Sequence, residues 1–141
     1  MSYAHAFDLQ AAVFARLSGD PALTALVGTH IYDRAPEGAS VPPLYVALGP
    51  EDADDASDSS GPAAVFRLTV TVVGTDVGFA NVKQVAAAVC AALSGTNPVI
   101  AGGLVTGIQF RRARARRGDE PDQRLVELTF RTRVEETVAG T

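Results

Sequence analysis

The chain has 141 residues, enough for one hydrophobic core and too few for two. Hydrophobic residues make up 47% and charged residues 20%, which excludes a chain disordered throughout, and no apolar run approaches the roughly 18 residues that a membrane helix needs. The net charge of -4 is unevenly spread: nine acids and two bases up to Pro62 give -7, while seven acids and ten bases from Ala63 onward give +3.

The opening MSYAHAFDLQ has no basic segment followed by an apolar one, so no export signal is expected. In AHAFDLQAAVFARLSG the residues Leu9, Val13 and Leu17 recur every four positions and Gly19 follows, which predicts an amphipathic helix. Asp20-Pro21 supplies an N-cap and a first-turn proline for a second, very short helix that ends at Gly28. HIYDR reads as a brief extended stretch. Pro36, Pro42 and Pro43 bound a loop, and the alternation in LYVALG predicts a strand over 44–49.

Residues 50–62, PEDADDASDSSGP, hold five acids and no large apolar side chain, which predicts a mobile acidic loop. AVFRLTVTVVG alternates cleanly, with Phe66, Leu68, Val70 and Val72 on one face, and predicts a central strand. FANVKQVAAAVCAALSG returns to helical spacing through Val82, Val85, Val89 and Leu93 and predicts the longest helix.

LVTGIQFRRARARR and RLVELTFRTRVE, separated by GDEPDQ, predict a long hairpin. With Phe110 opposite Phe130, strict alternation puts Leu104, Thr106, Ile108 and Phe110 on the apolar face with Val126, Leu128, Phe130 and Val134. The same count continues that face through Arg112, Arg114 and Arg116, with Arg111 and Arg117 pointing the other way, so the tip is expected to project past the core. The element order predicts an α+β fold: a mostly antiparallel sheet, two main helices packed on it and a long C-terminal hairpin, forming one domain over 1–141.

Catalytic and metal chemistry find no residues to stand on. His5 and His30 show no ligand spacing and read as a solvated and a loop residue, and the lone Cys90 in an alanine-rich helix reads as a small buried side chain. One cysteine also excludes an internal disulfide and a thiolate-rich zinc site, and fits a reducing compartment. Asp52, Asp54, Asp55 and Asp58 lack the glycine and glutamate of a calcium loop. Gly102-Gly103 precedes a strand, the reverse of a phosphate cradle. No cofactor is expected.

The run Arg111, Arg112, Arg114, Arg116 and Arg117 is the most unusual local feature. It suits a solvated edge that blocks aggregation, a protein partner, or phosphates, although no aromatic within the run offers base stacking. Together with Asp52, Asp54 and Asp55 it forms the candidate subunit or partner interface, because opposed charges suit head-to-tail contact between copies.

The segments LQAAVFARL, DPALTALVGTHIYDRAP and PPLYVALG, followed by the acidic stretch, the central strand, NVKQVAAAVCAAL and LVELTFRTRVE, resemble in their order the phage tail-completion or tail-terminator family of siphophages and gene transfer agents. The resemblance covers nearly the whole chain. It implies a structural, non-enzymatic subunit of a virion or phage-like tail, assembled in the bacterial cytoplasm. It further implies a ring of identical copies, commonly six, at the head-proximal end of the tail tube. Such a ring stops tube growth, touches the tail tube protein and the head connector or stopper protein, leaves a lumen for DNA, and involves no membrane. The family supplies no catalytic residues, and the arginine-rich hairpin matches none of its motifs. A head-completion or connector protein, and a small nucleic-acid-binding module using the arginines, are the alternative readings.

Overall fold

The computed structural model describes residues 3–38, 41–95 and 97–137. Residues 39 and 40 of the proline-bounded loop lie outside the described residues. Helix α1 (Ala6–Ser18) buries Leu9, Val13 and Leu17, the stripe that four-residue spacing sets on one side. Helix α2 (Pro21–Val27) begins where the Asp20 side chain accepts a hydrogen bond from the Leu23 amide at 2.9 Å, satisfying one of the donors that a helix start leaves orphaned. Helix α3 (Phe79–Leu93) buries Val82, Val85, Val89 and Leu93.

Among the described residues six strands form one sheet: β1 (Ile31–Tyr32), β2 (Leu44–Asp55), β3 (Ala63–Thr75), β4 (Val99–Ile100), β5 (Gly103–Arg117) and β6 (Gln123–Glu136). Their spatial order is β1-β2-β3-β6-β5-β4. Only β1–β2 is parallel, and every other pairing is antiparallel. The two-residue β4 is an element that the sequence pattern does not announce. The helices cover one face, where Val46, Phe66, Val70, Val72, Leu128 and Phe130 join the helical stripes in a single core. Each such side chain taken from water contributes about 1.5–3 kcal/mol against the ordering entropy of the chain. The other face carries no helix among the described residues and has a small apolar patch of Tyr45, Ala47, Val73 and Leu125.

The acidic segment differs from its expected form. Strand β2 does not end at residue 49. After a register shift between Leu48 and Glu51 it continues to Asp55, pairing Glu51 with Leu68 through Asp55 with Ala64. The loop shrinks to a turn in which Asp58 bridges Gly61 and accepts from the Ser60 amide at 2.9 Å. Composition misleads here because a ladder uses backbone groups, and on an edge strand the acids remain in water without being buried.

The C-terminal hairpin departs from simple alternation at two places. Phe110 pairs with Phe130 as expected, their rings edge to face at 6.1 Å. A register shift between Val105 and Ile108, at a Gly107 with φ of 148°, and a second between Phe110 and Arg112 each insert one extra residue opposite β6. The first bulge turns Val105 inward (2% exposed) and leaves Leu104 outside (53%), the reverse of the expectation for Leu104. The second bulge contains Arg111 and places Ala113 and Ala115 opposite Leu128 and Val126 on the helix side. Arg112, Arg114 and Arg116, opposite Thr129, Glu127 and Leu125, therefore belong to the helix-free face and do not continue the apolar one. Nor does the tip project past the core: Ala113 and Ala115 look toward α3 across a shallow apolar groove of about 320 Å³.

Between β3 and α3 stands Asp76, with φ of 59° and its amide bonded to the Asp122 carbonyl at 3.0 Å. A hydrogen bond between the two carboxyl groups, and then their mutual repulsion, holds Asp76 above the ordinary carboxylate range. A raised folded-state pKa means that the native protein binds this proton more tightly than the unfolded chain. The pair therefore opposes folding at neutral pH, and that opposition fades as pH falls through the raised value and is gone below the unfolded one, about 4. Asp76→Asn, which keeps a residue tolerant of the left-handed region, should raise the melting temperature at pH 7 and leave it unchanged near pH 3. A shift of equal size at both values would show that the carboxyl pair is not its cause.

Candidate assembly surface

Among the described residues, strands β2 and β5 lack an outer ladder partner along most of their length. On the side away from β3, strand β1 covers only Val46 and Ala47 of β2. On the side away from β6, strand β4 covers only Gly103 and Leu104 of β5. The candidate residues of the sequence lie on these two exposed stretches, at opposite margins of the sheet: Asp52, Asp54 and Asp55 on β2, and Arg111, Arg112, Arg114, Arg116 and Arg117 on β5. Within one copy β3 and β6 separate them, so the fold does not bring the acids and the arginines together.

Each row instead finds neighbours of its own. Arg67 of β3 donates to Asp54 at 2.7 Å, and Arg116 donates through Nε to Glu127 at 2.6 Å. Both pairs are partly exposed and worth about 0–1 kcal/mol each, enough to orient a side chain and too little to hold a fold. Arg133 reaches across β3 to the Ala56 carbonyl at 3.3 Å and to Asp58 at 3.5 Å, tying the acidic turn to β6. Hydrogen bonds from Ser57 hold the Asp55 carboxyl below the ordinary range, and the Ser60 hydroxyl does the same for Asp58. Arg112 and Arg114 have no ion pair or side-chain hydrogen bond among the described residues, and neither does Asp52.

The helix layer shows an apolar surface that charge-based reading of the sequence misses. Phe7 is 81% exposed and, with Tyr3, Phe14, Ile31 and Tyr32, borders a groove of about 600 Å³ beside α1. Phe7 lies off the Leu9, Val13, Leu17 stripe, and that offset is the sequence signal for it. His5, expected in solvent, is 7% exposed, while His30 shares a 3.0 Å contact with the Tyr32 hydroxyl. Cys90 is half-buried, and burial pushes its thiol up from the ordinary range. Among the described residues no three of His, Cys, Asp and Glu stand close enough to hold a metal ion, and no helix is long and apolar enough to cross a membrane.

The described surface thus combines exposed strand edges, rows of charge and apolar grooves. Comparison with curated proteins finds no match. Among solved structures, a chain from one described as the virion of a native gene transfer agent particle is 48% identical. The match covers 95% of this chain and 99% of that chain, with a TM-score of 0.87. The family model described as tail completion protein gp17 matches residues 11–135. The chain therefore belongs to the family of tail completion protein gp17.

Proposed function

We propose that copies of this chain close into a ring, six-membered by the family resemblance, at the head-proximal end of the tail tube. There the ring stops growth of the tube and offers a surface to the head connector, and its lumen lets DNA pass. The near-complete match to a virion chain at 48% identity is the observation that carries this reading. The fold adds a physical basis, since a sheet with two differing open edges suits heterologous contacts, which close into rings when the rotation per copy permits.

Particles formed without the chain test the reading by electron microscopy. The expected result is tails of uncontrolled length, or tails that do not join heads. Normal tails joined to heads in its absence would refute it. A nucleic-acid-binding module would draw on Arg112 and Arg114, which face solvent beside no aromatic side chain of the tip. A salt-sensitive shift of a labelled duplex by the isolated protein would favour that alternative.

A further inference from the structure

We propose that the acidic edge of β2 in one copy is the docking site for the arginine-lined edge of β5 in the next, so that the two open edges join as one antiparallel ladder. The proposal rests on the ring reading and names the contact that would build the ring. Four observations support it.

Among the described residues both edges lack a ladder partner over matching lengths. The shift at Gly49-Pro50, where the proline lacks an amide hydrogen, starts the usable part of β2 at Glu51, and Glu51 to Asp54 matches Arg112 to Ala115 on β5 in length. Both charge rows also stand on the same face. Asp52 and Asp54 share the helix-free side with Arg67, and Arg112, Arg114 and Arg116 share it with Glu127. Joining two sheets with their helices on the same side therefore sets acids and arginines side by side. With Asp52 opposite Arg114, Asp54 falls opposite Arg112, because both rows repeat every two residues.

Strand direction agrees as well. The series β2-β3-β6-β5 holds four mutually antiparallel strands, so its first and last run in opposite directions. Rotation about an axis along the strands places β5 of one copy antiparallel to β2 of the next. Finally, like edges exclude each other. A two-fold contact of β5 with β5 sets arginine against arginine, and one of β2 with β2 sets aspartate against aspartate, so only the head-to-tail contact is favourable. Charged edges that served only to block aggregation would need no opposition of sign.

A charge-exchange experiment tests the contact in particles formed without the native chain and supplied with variants. Arg112→Glu/Arg114→Glu makes both edges acidic, and Asp52→Lys/Asp54→Lys makes both basic. Each variant alone should fold, by circular dichroism, and lose at least about tenfold in incorporated oligomer. An equimolar mixture should restore incorporation, because each variant's altered edge then meets the other's. Incorporation of either variant alone at the native level, or a mixture no better than its parts, would overturn the proposal. As a second measurement, Asp52→Cys/Arg114→Cys in a Cys90→Ala background should give, on oxidation, a covalent ladder extending beyond dimers. Particles that incorporate this variant and yield only dimers, or no cross-link, would overturn the proposal. Normal tails in particles lacking the chain would refute the tail assignment instead, and the cross-link pattern would still decide the edge contact.

Discussion

Replacing Phe66 with alanine should lower the unfolding free energy by about 3–5 kcal/mol, the range for removing a large aromatic side chain from a packed core. Phe66 is fully buried on β3, between its ladder partners Ala53 and Thr132, with the Tyr3 ring 6.3 Å away. Its neighbours sit on paired strands and cannot collapse far into the space, which favours the upper part of the range. Urea denaturation should show a lower midpoint with an unchanged slope. A loss below about 1 kcal/mol would mean that this part of the core is loosely packed. Phe66→Leu should recover more than half of the loss.

Gly74 predicts a comparable effect with the opposite cause. A Cβ there would lie 2.3 Å from Val77 Cγ2 and 2.6 Å from Val82 Cγ2. Val82 is fully buried at the start of α3, and a β-branched side chain has no alternative rotamer to retreat into. Gly74→Val should therefore force α3 away from the sheet and cost about 1–3 kcal/mol or more. The combined variant Gly74→Ala/Val77→Ala/Val82→Ala should be less destabilised than the sum of its single changes, because the two valine substitutions remove both atoms that the first one strikes. Strict additivity in that cycle would rule out the steric explanation.

Much of the fold is legible in the sequence where one local period governs. Leu9, Val13 and Leu17 announce α1, Asp20-Pro21 starts α2, and Phe66 to Val72 alternate as the structure shows. The Phe110–Phe130 pairing is readable too, because two aromatic rings on the apolar face favour standing opposite each other. Leu104 and the arginine row defeat the same count, because alternation assumes one residue per step and a bulge takes two. Gly107 is the only local hint of the first bulge, and nothing in RRARARR marks the second. The acids from Glu51 to Asp55 were opaque for another reason: β-propensity reflects burial, and an edge strand in water needs none.

The site was half legible. The two clusters of charge stand out by composition alone. That Asp52 and Arg114 lie on one face at opposite margins follows from the order β2-β3-β6-β5, which depends on pairings between residues far apart in the chain.

The two bulges of β5 make its inward-facing pattern behave like a reading frame. Val105 faces in, the phase shifts so that Ile108 and Phe110 face in, and it shifts back so that Ala113 and Ala115 do. Two single-residue insertions thus cancel, and either can be lost without turning the tip over. Deleting Arg111 would join Phe110 and Arg112 in plain alternation, with Arg112 still opposite Thr129 and Ala113 still opposite Leu128, so the arginines would stay on the helix-free face. Relatives one residue shorter at either bulge would present the same chemistry on the same surface, because the partner on β6 sets the face of each tip residue.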